Sequence, residues 1–193
     1  YSHSSSPTLP FYTFYSMFGF QRTADQIWAA ADSRARGFLM GATAGRTTLN
    51  GEGLQHQDGH SLLFASTVPS CRAWDPAYAY ELATIISHGI EEMWEMNKDV
   101  IHYIMLYNEN QQQPPKPAGC DSGIVKGAYK LQESRKSDSG HVRILGSGPI
   151  LQYAREAASL LESDFGVSSE VWSVTSYGEL RREGLEIERH NRL

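Results

Sequence analysis

Apolar and polar positions along the chain switch repeatedly between a helical period and short, nearly continuous apolar runs. Thr23-Ala24-Asp25-Gln26 has the form of a capping box, with Thr23 able to cap and Gln26 able to reach back. The apolar stripe of Ile27, Trp28, Ala30, Ala31 and Ala35 follows it, which predicts a helix from Thr23 with Gly37 as its stop. Phe38 to Ala42 is a short apolar run of the kind buried on both faces of a parallel sheet. Asp75-Pro76 predicts a second helix, with Asp as cap and Pro in the first turn. Ala79, Leu82, Ile86, Ile90 and Met93 carry its apolar face at helical spacing through about Trp94. Val100 to Tyr107, written Val-Ile-His-Tyr-Ile-Met-Leu-Tyr, is a strong strand.

Between these blocks, Thr43 to Ser61 is a long polar segment punctuated by Gly45, Gly51, Gly53 and Gly59. Long loops in compact domains are often functional. Gln111 to Pro117 is the clearest linker and sets the expected division: residues 1–113, a linker at 114–122, and residues 123–193. In the second part, Tyr129 to Gln132 and Val142 to Leu145 read as strands around a polar turn. Gly146-Ser147-Gly148-Pro149 leads into a helix whose face is Ile150, Ala154, Ala157 and Leu161, and Glu170 to Val174 is the next strand. Strand, helix, strand with short connections predicts a right-handed crossover. Two incomplete α/β units joined by a linker are therefore expected.

Composition narrows the classes. Over 193 residues the chain is 40% hydrophobic and 20% charged, which suits a folded α/β protein, not a disordered one. The net charge of -5 offers no general attraction to nucleic acid. The basic residues Arg181, Arg182, Arg189 and Arg192 alternate with Glu179, Glu183, Glu186 and Glu188, as on a solvated surface. No apolar run approaches the length of a membrane span. Cys71 and Cys120 are far apart and form no CxxC pair, so a reducing, cytoplasmic setting is expected. Tyr1-Ser2-His3-Ser4 has neither an initiator Met nor a signal-peptide pattern and reads as a chain already under way.

The richest chemistry lies in Thr47 to Ser61, where His56 and His60 share a glycine-shaped loop with Glu52 and Asp58. In open α/β sheets ligands sit where such loops leave the strands. A histidine there can move a proton near neutral pH. The same polar side chains could equally serve the loop's own backbone. Metal binding is not expected, because Gly59 argues against a helix carrying His56 and His60, and no HExxH pattern occurs. The Gly146-Ser147-Gly148 turn lacks both the third glycine of a dinucleotide site and a Walker lysine, so a tight connection is expected. No GxSxG elbow is present. Phe11 to Phe20 holds six aromatics in ten residues; core is the default, although such faces also pack on flat heterocycles.

The strings PFYTFYSMFGFQR (Pro10 to Arg22), ARGFLMGATAGRTTLNGEGLQHQDGHS (Ala35 to Ser61) and DPAYAYELA (Asp75 to Ala83) resemble the homodimeric pyruvate dehydrogenase family. The likeness continues through LYNEN, GAYKL, LGSGPIL and VWSVTSYGEL, so it covers nearly the whole chain. It implies an α/β fold: the later part of a transketolase-like pyrimidine-binding domain, followed by the start of a transketolase-like C-terminal domain.

The resemblance also implies a cofactor, thiamine diphosphate, with Mg held by a domain outside this chain. By position, Phe18 is expected to stack on the aminopyrimidine, and Tyr15 and His56 to face the substrate. Arg22 is expected in the surrounding shell, and His60 in support of the loop. The implied reaction is decarboxylation of pyruvate with acetylation of lipoyl groups. Its implied partners are a second identical subunit and a lipoyl-bearing acetyltransferase. The family's activating glutamate and GDG motif are expected upstream, so this chain by itself is expected to be inactive. Another transketolase-group enzyme and a non-catalytic dimerisation or assembly module are the alternatives.

Overall fold

Phe11–Tyr15, four aromatics and a threonine with high strand propensity, forms the first strand, β1, and the chain turns directly into helix α1, Ser16–Asp32, without a loop. This computed structural model describes residues 5–44, 47–133 and 140–193. The remainder of the first lobe contains β2 (Gly37–Ala42), α2 (Ser61–Ala65), β3 (Cys71–Trp74), α3 (Ala79–Ile90) and β4 (Ile101–Met105). Its four strands are parallel in the order β1-β2-β4-β3.

β4 is buried at every position, as its apolar run requires, and His102 within it is paired with polar partners. Its alternate side chains divide the core. Tyr103 and Met105 join Phe20 and Ile27 of α1, while Ile104 joins Ile85 and Met93 on the α3 side.

The second lobe comprises α4 (Asp121–Lys126), β5 (Ala128–Glu133), β6 (His141–Gly146), α5 (Ile150–Phe165), β7 (Ser168–Val174) and α6 (Tyr177–Arg192). Its sheet runs β5-β7-β6; β6 and β7 are parallel, as the expected crossover requires, and β5 is antiparallel to β7. The polar turn expected between β5 and β6 lies largely outside the described residues, as do Tyr1 to Ser4, Gly45 and Arg46.

Several expectations need correction. α1 starts seven residues before Thr23, whose hydroxyl donates to the Gly19 carbonyl at 2.7 Å inside the helix instead of capping it. α1 ends at Asp32; Gly37 opens β2 and does not stop the helix, and Trp28 is exposed. Asp75 does not cap α3. Its backbone N–H donates to Thr175 at 2.8 Å and its carbonyl accepts from Gly148 at 3.1 Å, tying the two lobes together.

Of the expected α3 face, Met93 is fully buried and Leu82 and Ile86 pack half-buried against the core, while Ile90 is exposed and the deepest positions within the helix are Glu81, Ile85 and Gly89. On α5 the buried stripe is Leu151, Ala154 and Ala158, with Ile150 and Ala157 exposed. The aromatic run is not a core block, because Phe11 and Tyr12 are exposed and only Phe20 is fully buried. Helices α2, α4 and α6 and strand β3 were not anticipated.

α3 continues into a π-helical turn, Glu91–Glu95, that carries Glu92 into the interior. Glu92 receives Lys98 at 2.9 Å, and lies 3.3 Å from both Arg72 and His102 and 3.4 Å from His88. Burial by itself would raise its carboxyl, but hydrogen bonds from His102 and Lys98 and the charge of Arg72 hold it at about 2. Burial pushes His102 down, so that ring is neutral, accepting from Trp74 Nε1 at 3.0 Å.

Both shifts act in one direction. The Glu92 contribution to stability is complete above the ordinary carboxyl value of about 4.5 and disappears as pH falls through about 2. The His102 contribution begins to fall below its ordinary 6.5. The midpoint of urea unfolding is therefore expected to drop progressively on acidification from neutral pH. Glu92→Gln should flatten the acid limb, and an unchanged slope would contradict the assignment.

Candidate active site

The site follows from strand register. β1 and β2 run parallel with Tyr15 opposite Ala42, so both strands end on the same edge of the sheet. From that edge β1 enters α1, and β2 enters the loop that carries His56. The reversal into α1 is tight because Gly19 lies under the Phe14 ring; a Cβ there would sit 1.8 Å from Phe14 Cδ2. Tyr15 and Phe18 consequently stand side by side, with ring centroids 5.5 Å apart.

The loop has two single 3₁₀ turns, Asn50–Glu52 and Leu54–His56, joined by Gly53 at φ +92°. Thr48 donates to Asn108 at 2.7 Å, and Thr47 bonds Glu109, which also accepts from Gln152 of α5 at 3.1 Å. Ala44 N–H donates to Leu106 at 3.0 Å, and Asp58 N–H donates back to Ala44 at 3.3 Å. The loop is thus anchored to the segment after β4 and, through Glu109, to the second lobe.

These supports bring the four sequence-nominated residues together. His56 Nδ1 is 3.0 Å from the Tyr15 hydroxyl. The His56 ring meets Phe18 edge-on at 5.6 Å and 79°, and Tyr15 at 6.0 Å and 71°. The Arg22 guanidinium lies over the Phe18 ring at 4.6 Å, one helical turn on. Glu52, a carboxylate of the same loop for which no role is expected, reaches within 3.7 Å of His56 Nδ1. Desolvation, reinforced by the Glu52 charge, raises the Tyr15 phenol, so it retains its proton. When that hydroxyl donates to Nδ1, the neutral imidazole carries its own proton on Nε2.

His60 stands apart from this cluster: it hydrogen-bonds Gln21 and packs edge-on against Phe64 at 5.1 Å. The Gly146-Ser147-Gly148 turn packs on the lobe junction, where a Cβ at Gly148 would meet Tyr107 Oη at 2.7 Å. Asp58, Ser16 and Tyr103 complete the buried support beneath the cluster. The carboxylate of Asp58 was visible in the loop, but nothing in the sequence marked Ser16 as its partner. Among the described residues no three of His, Cys, Asp and Glu converge as a metal site. No helix among them is long and apolar enough to cross a membrane.

The four-stranded parallel sheet followed by a second, mixed lobe gives a transketolase-like α/β fold. Transketolase from Leishmania mexicana superposes with a TM-score of 0.69 at 15% identity, covering 90% of this chain and 24% of that one. The Campylobacter jejuni transketolase gives 0.67 at 20% identity, covering 90% and 25%. Residues 127–190 match the transketolase-like C-terminal domain family. Residues 1–114 match the pyruvate dehydrogenase E1 component middle domain, and the chain belongs to that family.

Among curated relatives, the pyruvate dehydrogenase E1 component of Pseudomonas aeruginosa is 60% identical over 193 residues, and that of Escherichia coli strain K12 is 54% identical over 194. Each comparison covers 100% of this chain and 22% of the relative, so the chain spans about a fifth of their length.

Proposed function

We propose that this chain supplies one wall of a thiamine-diphosphate site in an enzyme that decarboxylates pyruvate and passes the acetyl unit to a lipoyl group. The reading is carried by one observation: a phenol and an imidazole 3.0 Å apart at the edge of a half-buried phenylalanine ring. The relatives' name, pyruvate dehydrogenase E1 component, supports pyruvate as the substrate. The residues fit a flat, charged heterocycle, for they combine an aromatic plane, two proton-bearing groups and a guanidinium. When bound, thiamine diphosphate would supply the nucleophilic carbon and the electron sink for loss of carbon dioxide.

In this reading the Phe18 ring packs on the aminopyrimidine, with Arg22 covering part of the aromatic surface. His56 Nε2–H offers a hydrogen bond to negative charge that develops on the substrate oxygen, which a preorganised donor stabilises more than water does, while the single Tyr15 proton is engaged on His56 Nδ1. The Tyr15 hydroxyl fixes His56 Nδ1, so Nε2 is the nitrogen that holds or delivers a proton, including one for a departing sulfur. The diphosphate and its magnesium are assigned to a domain outside this chain.

We assign residues 1–113 to part of the pyrimidine-binding domain, 114–122 to the linker and 123–193 to part of the C-terminal α/β domain. A second identical subunit, a lipoyl-bearing dihydrolipoyl acetyltransferase and a cytoplasmic setting belong to the same proposal. The buried free thiols Cys71 and Cys120 suit a reducing compartment. Assay of the intact protein with pyruvate and with 2-oxoglutarate tests it. A preference for pyruvate of about tenfold or more in kcat/KM is expected, together with acetylation of a lipoyl domain. Preference for 2-oxoglutarate or for a sugar phosphate would overturn it.

A further inference from the structure

We infer that Asp58 is a positioning residue for His56, acting through Ser16; the inference rests on the role of His56 proposed above. Asp58 is 1% exposed, and a carboxylate taken out of water needs donors at fixed places. Three are present: the Ser16 hydroxyl, the His60 amide at 3.2 Å and the Ser61 amide at 3.0 Å. Ser16 is fully buried and directly follows Tyr15 in the chain. A second strut runs parallel to the first, since the Ser61 hydroxyl donates to the Ser16 carbonyl at 3.2 Å. Tyr103 closes the far side, its hydroxyl 3.5 Å from Ser16 Oγ.

These struts span the same gap as the Tyr15–His56 contact, between segments 41 residues apart in sequence. Between His56 and Asp58 lies only Gln57, so the carboxylate fixes the loop two residues from the imidazole. A 3₁₀ turn of three residues has little stiffness of its own. The position of His56 against Tyr15 is therefore set by the buried anchor on one side and the first residue of α1 on the other. An apolar pair could have filled the same volume, but it would not fix direction; a carboxylate with three donors does.

The test uses the intact protein with Asp58→Ala, Ser16→Ala, their combination, and Asp58→Asn. Steady-state kcat and KM are read alongside the rate at which diethyl pyrocarbonate modifies His56 in the cofactor-free protein, followed by peptide mass spectrometry. Asp58→Ala is expected to lower kcat about tenfold with KM changed less than about twofold. It should also speed modification of His56 several-fold. Ser16→Ala should act in the same direction, and the double variant should be no worse than Asp58→Ala, because the two form one strut. Asp58→Asn, which keeps the acceptor for both amides, should recover most of kcat.

Unchanged kcat and an unchanged His56 modification rate in the folded variants would overturn the inference, as would strictly additive losses. Should Asp58→Ala fail to fold, Ser16→Ala and Asp58→Asn give the same readouts. A His56→Ala control separates the two readings. Near-normal turnover in that control refutes the role of His56, while the modification rates still report whether Asp58 positions it.

Discussion

His56→Ala in the intact protein is expected to reduce turnover about tenfold or more while leaving the thermal midpoint close to that of the parent. The ring is about a quarter exposed at 26%, so its removal opens no deep cavity. What disappears is the imidazole whose Nδ1 lies 3.0 Å from the Tyr15 hydroxyl, and with it the proton carrier of the proposed step. Tyr15→Phe retains the ring against Phe18 and loses only the hydroxyl. One hydrogen bond is worth about 0.5–1.5 kcal/mol, so a fall of about threefold to tenfold is expected for that variant. Stopped-flow or steady-state measurement of carbon dioxide release gives both values. Turnover within twofold of the parent after loss of His56 would remove the imidazole from the mechanism.

The second large effect is structural. Glu81→Ala is expected to destabilise the protein by about 3–5 kcal/mol. Glu81 is fully buried at the start of α3, between the two lobes. Its carboxylate accepts from Ala77 N–H at 2.5 Å, Tyr78 N–H at 3.2 Å, Tyr129 Oη at 2.7 Å and Ser173 Oγ at 2.6 Å. Tyr80 adds a further hydroxyl, 2.5 Å from that of Tyr129. Burial, with the Glu81 charge next, pushes the Tyr129 phenol far up, so it stays a donor.

Truncation would strand two backbone amides and two hydroxyls away from water, each costing about 1–3 kcal/mol before relaxation. Glu81→Gln should be milder, because the amide keeps one acceptor oxygen. Urea unfolding monitored by tryptophan fluorescence provides the measurement. A loss below about 1 kcal/mol would show that the lobes are not joined through this residue.

Much of the candidate site was legible early, because long motifs and a glycine-rich loop after a buried strand are local features. The family resemblance points to Tyr15, Phe18, Arg22 and His56, and the fold brings all four together. The helix that carries two of them was placed wrongly. Thr23-Ala24-Asp25-Gln26 has good capping chemistry, yet the preceding turn, with Phe20 in the core, is stabilised by tertiary burial that outweighs the local start signal. The expected apolar stripes are correct only in part: Ala154 of α5 and Met93 after α3 are buried, whereas Leu151 and Ala158 take the places expected for Ile150 and Ala157. On α3, Glu81 occupies a core position that hydropathy assigns to solvent.

The sequence by itself determined the strands β2 and β4, the loop that bears His56 and the family resemblance. All of these depend on periodicity or on contiguous wording within a short window. Tertiary structure alone decided the depth of Glu81, the burial of Asp58 under Ser16 and the distance between Tyr15 and His56. A polar side chain belongs in the interior only when donors or acceptors arrive there from elsewhere in the chain. For Glu81 those partners include Tyr129 and Ser173, and for Asp58 they include Ser16. That information is carried by the strand register and the packing of the two lobes, and no local stretch of sequence contains it.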